Sequence, residues 1–259
     1  MRIRATVAAV SGALALSALV APAAHADELV GDTKISNVVV NGGKPVVVAA
    51  TGSKSVTVTF TATDNSGIAW AQPILYRGPD IDRAETGAIA NSSDGTAKCT
   101  KVNATTSTCK ATFTLKQRYN LINEVAGSWK VWAVVAAKDG DYVQKDNAKS
   151  FKVQRLSKLT VNASPEPVKK GKTITVTGKL TRANWDTGTY AGYSGQSVKL
   201  QFRKKGTSTY KTLKTVKTNS KGDLKATVKA SADGYYRYSF AGTSTTPAVN
   251  AAGDFVDVK

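Results

Sequence analysis

Apolar and polar residues alternate with a period of two along most of this chain. In Ser55-Val56-Thr57-Val58-Thr59-Phe60-Thr61-Ala62 every second side chain is apolar, and Thr173-Ile174-Thr175-Val176-Thr177 repeats the pattern. From Gln196 to Arg203, Val198, Leu200 and Phe202 share one side while Lys199, Gln201 and Arg203 share the other. Period two with one dry and one wet face predicts strands of antiparallel sheets. Turn-forming residues fall between these runs: Asn41-Gly42-Gly43, Asn65-Ser66-Gly67, Lys138-Asp139-Gly140, Lys221-Gly222-Asp223 and Asp233-Gly234. Beyond residue 26 no helix-period stretch is long enough to compete, apart from one helical turn expected near Leu115 to Val125. The predicted class is all-β.

The first 26 residues break the pattern. Arg2 and Arg4 precede an uncharged run from Val7 to Val20, and Ala24-His25-Ala26 has the small-x-small form of a cleavage site, so residues 1–26 read as a signal peptide. The expected product is secreted and extracellular. The remaining 233 residues suit two domains. They also resemble one another. Gly127-Ser128-Trp129-Lys130-Val131-Trp132 matches Gly234-Tyr235-Tyr236-Arg237-Tyr238-Ser239, and each is followed by a similar closing strand, Ala148 to Val153 and Ala252 to Val256. The boundaries drawn from this repeat are 27–155 and 156–259. The join, Phe151 to Leu159, has no Gly/Ser- or Pro-rich spacer, which predicts a limited hinge near Leu156 and a groove between domains.

The Gly-x-aromatic-x-aromatic strand resembles the start of strand F in immunoglobulin-like domains, where a tyrosine ties a corner and a buried residue follows two places on. Gly234, Tyr236 and Tyr238 take those places in the second copy, and Gly127, Trp129 and Val131 in the first. The resemblance is to bacterial secreted immunoglobulin-like domains, and it implies two tandem antiparallel β-sandwiches. The inter-sheet cysteine pair of antibody domains is absent. The chain's two cysteines, Cys99 and Cys109, have nine residues between them around a turn near Asn103 to Thr106 and read as a local disulfide.

Histidine narrows the chemistry. The only one, His25, lies in the segment expected to be removed, which leaves no imidazole for a serine or cysteine triad or for the usual zinc sites. Carboxylates remain: Asp64, Asp80, Asp82, Glu85, Glu124 and Asp139 could in principle form a pair acting on polysaccharide, but none stands in a motif distinct from turn chemistry. The chain is therefore expected not to be an enzyme. A calcium site is the more specific alternative, with Asp64, Asp139 and Asp141 at loops of one sandwich end, opposed by Lys138 and Lys145. Otherwise no cofactor is expected.

Charge adds a direction. Residues 27–155 carry 16 Lys and Arg against 12 Asp and Glu, a net of +4, whereas residues 156–259 carry 18 against 6, a net of +12. Such a field attracts polyanions, although lysine on the wet faces and edges of sheets also keeps β-proteins soluble. The stretch Ala183 to Tyr193 is rich in Asn, Asp, Gly and aromatic residues and reads as a loop. The expected binding residues are Trp185, Tyr190 and Tyr193 on that loop, with Arg203, Lys204 and Lys205 on a basic face. Expected partners are wall polyanions, polysaccharide or another secreted protein. No specific nucleic-acid motif and no transmembrane segment appear after residue 26.

Overall fold

A computed structural model describes residues 27–259; the expected signal peptide lies outside the described residues. The period-two runs form long strands, and the described chain is all-β, two immunoglobulin-like β-sandwiches in tandem. In the first half, one sheet has the order Glu28–Val30, Tyr142–Arg155, Gly127–Ala137, Ile68–Arg77, Thr86–Ile89. Val46–Val48 adds to Tyr142–Arg155 in parallel. The facing sheet runs Lys34–Val40, Ser53–Thr63, Thr106–Lys116, Lys98–Lys101. Alternation sends Val56, Val58 and Phe60 into the gap, where Leu75, Trp129 and Val131 meet them, all buried. Cys99 and Cys109 are directly opposed in register and joined, on a hairpin whose turn is closed by Asn103 N–H donating to the Thr106 carbonyl at 3.2 Å. In the region expected to be helical, the Thr106–Lys116 strand runs on to Lys116 and one 3-10 turn follows at Asn123–Val125.

The second half repeats the plan. Thr173–Asn184 pairs with Ser157–Leu159, Asn162–Ser164, Thr189–Gly192 and Asp223–Lys229. The other sheet has the order Lys211–Lys217, Ser197–Lys204, Gly234–Phe240, with Val249–Asn250 and Asp254–Val256 beside the last. Ile174, Val176, Leu200, Tyr236 and Tyr238 fill its core. Among the described residues, strands up to Arg155 pair only with one another, and those from Ser157 likewise. The likeness extends to a parallel contact between an early residue and the last strand region, Val46–Val48 in one half and Val168 with Val258 in the other.

The corner tie is made differently in each half. Trp129 Nε1 donates to the Val125 carbonyl four residues upstream at 2.7 Å, which secures the turn into its strand. In the second half the residue two places on makes the bond: Tyr238 Oη donates across the sandwich to the Val176 carbonyl at 2.9 Å. Space for that ring comes from Gly178, where a Cβ would stand 2.7 Å from Tyr238 Cδ2. Burial pushes the Tyr238 phenol up to about 12.

Between the halves the expected hinge and groove are not what the chain forms. Leu156 N–H donates to the Val48 carbonyl at 2.9 Å and its own carbonyl accepts from Ala183 N–H at 2.8 Å, so the residue is tied to both halves. Arg155 N–H donates to Thr245 and Gln154 Nε2 to the Thr243 carbonyl, each at 2.9 Å. Arg155 is itself buried, with Nε donating to the Ala183 carbonyl at 2.6 Å; burial and the nearby Arg182 charge lower its guanidinium to about 10. The void a groove would need is filled by Trp185, which is fully buried against the first half's core and donates Nε1–H to the Val48 carbonyl. Asn123 of the first half receives the Trp185 N–H at 2.9 Å, and Arg118 donates to the carbonyls of Asp186 and Thr187. Removing a buried tryptophan of this kind costs roughly 3–5 kcal/mol. Trp185→Ala should lower stability by about that amount in urea unfolding and split a shared transition into two; a change under about 1 kcal/mol would show that the junction does not depend on this side chain.

Candidate functional site

Outward-facing positions on the second half's Ser197–Lys204 and Gly234–Phe240 strands create a surface the alternation pattern dictates. Register sets Gln201 opposite Arg237 and Arg203 opposite Tyr235. These partners face water because Leu200, Tyr236 and Tyr238, their chain neighbours, face the core. Tyr210, from the end of the Gly206–Tyr210 connection, lies across this face. Its hydroxyl sits over Gly253, where any Cβ would collide with it.

The result is an alternation of cations and rings. The Arg237 guanidinium lies 3.7 Å from the Tyr210 ring centroid, and Arg203 lies 5.3 Å from the same ring and 4.2 Å from Tyr235. Tyr235 packs on Phe255 with centroids 5.2 Å apart, and Lys205 Nζ stands 5.4 Å from the Phe255 ring. Each such contact contributes about 0.5–1 kcal/mol at a partly exposed site. Arg237 Nε donates to Gln201 Oε1 at 2.9 Å and Arg203 Nη1 to the Thr207 carbonyl at 2.6 Å. One donor of each guanidinium is thus fixed and the remaining donors of each fork are left for a partner. Stacking and hydrogen bonding restrict the side chains, which reduces the ordering cost a ligand must overcome.

The structure brings Arg203 and Lys205 into this patch but separates the other predicted binding residues from it. Lys204 occupies the alternate side of its strand, opposite Gly234. The Ala183 to Tyr193 stretch is a hairpin, not a loop: Arg182 pairs with Ala191 and Ala183 with Tyr190, around a turn that needs the positive φ of Gly188 (+73°). Trp185 is corrected from an exposed stacking residue to the centre of the junction, because its large apolar surface gains most by burial there. Tyr190 is covered by Lys158 at 3.7 Å and Tyr193 by Arg182 at 3.9 Å, with Tyr193 edge-on to Phe240. Basic charge is also divided. Lys225 and Lys229 emerge from the opposite sheet, while Lys214 reaches from an edge strand to the Thr227 carbonyl at 2.8 Å. Tyr210, Tyr235, Arg237 and Phe255 were not predicted; only the alternation beside buried Tyr236 and Tyr238 signalled that Tyr235 and Arg237 point outward.

At one end of the first half, carboxylate oxygens of Asp32, Asp64 and Asp141 converge within 4.8 Å of one another. Asp64 and Asp141 were expected there, Asp32 was not, and Asp139 instead accepts the Asp141 N–H at 3.2 Å through its side chain. Asp64 Oδ1 accepts from Ser66 N–H at 2.8 Å and Ser66 Oγ at 2.6 Å, and Oδ2 from Thr33 Oγ1 at 2.6 Å. Lys145 pairs with Asp27 at 3.0 Å. Two of the other candidate carboxylates are held by cations: Glu85 by Arg77 at 2.8 Å, and buried Asp80 by Arg83. An apolar cavity of about 670 Å³, lined by residues including Ile74, Ile81, Ala88 and Ile89, has no acidic side chain on its wall.

No protein-family model matches the chain, and no curated protein matches it. Among solved structures it is similar to the D00–D0 domain of intimin, at 15% identity with 86% of this chain and 99% of that chain covered and a TM-score of 0.28. It is also similar to Dpr2 Ig1–Ig2 in complex with DIP-Theta Ig1–Ig3, at 13% identity over 86% and 98% of the chains with a TM-score of 0.30. Titin domains z1z2 in complex with telethonin match at 9% identity over 88% and 96%, with a TM-score of 0.23. The immunoglobulin-like architecture itself rests on the strand order described above. No helix among the described residues is long and apolar enough to cross a membrane.

Burial works to raise the Asp64 carboxyl, but hydrogen bonds from Ser66 and Thr33 outweigh it and hold the group below the ordinary carboxylate range. A depressed folded value means that Asp64 stabilises the fold above the unfolded value of about 3.9 and loses that contribution as pH falls through the lower folded value. Asp64→Asn should therefore be less stable than the parent protein at neutral pH, with the gap closing on acidification below about pH 4 in denaturant titrations. A gap that stays constant down to pH 2 would contradict this assignment.

Proposed function

We propose that this protein is a non-catalytic secreted module, acting outside the cell or in the wall, that binds polyanions through the outer face of its second half. The observation that carries this reading is the ladder of Lys205, Phe255, Tyr235, Arg203, Tyr210 and Arg237 in a half of net charge +12. Summed positive potential attracts an extended anion, and release of its counterions drives association. Stacked guanidinium forks then give fixed contacts to phosphate, sulfate or carboxylate oxygens. The immunoglobulin-like architecture supplies a rigid scaffold and by itself assigns no chemistry. The two-domain division at residues 155 and 156 belongs to this reading, with the first half as a stapled spacer.

A simple polyanion tests it. Dextran sulfate should bind with a steep inverse salt dependence, and Arg203→Gln with Arg237→Gln should weaken binding about 30-fold at low salt, from the loss of roughly 1 kcal/mol per cation. Equal binding by parent and double variant would remove the ladder from the account.

A second reading is favoured by one observation, the convergence of Asp32, Asp64 and Asp141. Three hard oxygen donors at that separation suit calcium, but both Asp64 oxygens already accept hydrogen bonds, so turn stabilisation explains the cluster without an ion. If calcium binds there, millimolar calcium should raise the melting temperature by about 3 °C over EDTA, and Asp64→Ala should abolish the rise. An unchanged melting temperature would retire this reading.

A further inference from the structure

The ladder is more specific than a diffuse basic surface, because its cations are rooted at fixed intervals along one strand direction. Lys199 and Arg203 are four residues apart on one strand, facing the same way, and Arg237 lies on the neighbouring strand opposite Gln201, midway between them. With about 3.3 Å of rise per residue, the backbone positions of the three cations advance along the strand in steps of roughly 6.6 Å. Lys205 extends the row by a further step at the strand end. The Arg203 and Arg237 guanidinium groups both approach one ring, at 5.3 and 3.7 Å from the Tyr210 centroid. Along the row, the nearby acid Asp233 pairs with Lys205 at 3.7 Å.

The rings, in contrast, are partly covered. Guanidinium groups stack on both tyrosines, and Phe255 packs on Tyr235. Sugar recognition by stacking needs an open aromatic face, and here guanidinium groups and a neighbouring ring already occupy part of that surface. The patch presents charge and hydrogen-bond donors, and the interval between charges is what it can read.

Resting on the polyanion reading, we propose that the ladder selects a linear phosphodiester polymer carrying one charge on each short repeat, laid along the Ser197–Lys204 strand. A three-carbon diol phosphate repeat has six backbone bonds of about 1.5 Å, which in a zigzag advance roughly 7 Å per charge, close to the cation step. A polysaccharide charged on every second sugar puts a whole disaccharide between anions, an interval longer than the cation step and out of register with it. Guanidinium forks accept either oxyanion, so spacing and not headgroup chemistry makes the selection.

The test compares poly(glycerol phosphate) with hyaluronate at equal charge concentration on the purified full-length protein, over a salt series. The phosphodiester polymer should bind at least tenfold more tightly, with a salt slope near −3 for four contacts, falling by about 1 for each of Arg203→Gln and Arg237→Gln. Lys225→Gln with Lys229→Gln, on the opposite sheet, should leave affinity within twofold, and circular dichroism melts of all variants check folding. Equal or tighter binding of hyaluronate, still lost on Arg203→Gln, would overturn the spacing inference while leaving the polyanion reading intact. Binding of neither polymer, or binding lost only on the Lys225 and Lys229 changes, would overturn both.

Discussion

Strict alternation in paired strands commits each residue to the dry gap or to water, and the rest of this structure follows from that constraint. On Gly234–Phe240, Tyr236 and Tyr238 are buried, so Tyr235 and Arg237 are turned outward. On Ser197–Lys204, burial of Val198 and Leu200 turns Lys199, Gln201 and Arg203 outward. A one-residue slip would bury the cations and expose the core, which fixes the register strongly. The ladder is thus the reverse side of the hydrophobic core, and its spacing is inherited from the strand.

The junction shows a second use of buried aromatic area. Trp185 leaves its own sandwich to complete the packing of the first half, and Leu156, Arg155 and Gln154 tie the join between the halves to main-chain partners on both sides. A short join with buried contacts favours a fixed relation between the halves over free swivelling. The first half is the less charged of the two and carries the Cys99–Cys109 hairpin. On the chain-entropy view that short disulfide loop contributes roughly 2–3 kcal/mol.

Much of the architecture was legible in the sequence because period two is a local signal. Val56 to Ala62, Thr173 to Thr177 and Val198 to Phe202 all lie in strands with the expected faces, and the Gly127 and Gly234 strands do begin matching segments. The Ala183 to Tyr193 stretch was less legible. Its Asn, Asp and Gly residues mark a turn correctly, but whether Trp185 meets water or another half is decided by tertiary packing that no local pattern encodes. The ladder was half legible: Arg203 and Lys205 stand in a basic run, whereas Tyr210 and Phe255 join them only through folding from distant positions. Asp32 escaped notice for the same reason, lying 109 residues from the Asp141 carboxylate that accepts its N–H at 3.1 Å.

The central claim is that one outer face of the second half is the binding surface. Backbone amide shifts in a heteronuclear NMR titration with a polyanion would locate the contact directly. The account predicts the largest changes at Arg203, Thr207, Tyr235 and Arg237, with Lys225 to Lys229 and the junction around Trp185 undisturbed. Changes concentrated on the opposite sheet, or spread evenly over every exposed lysine, would contradict it.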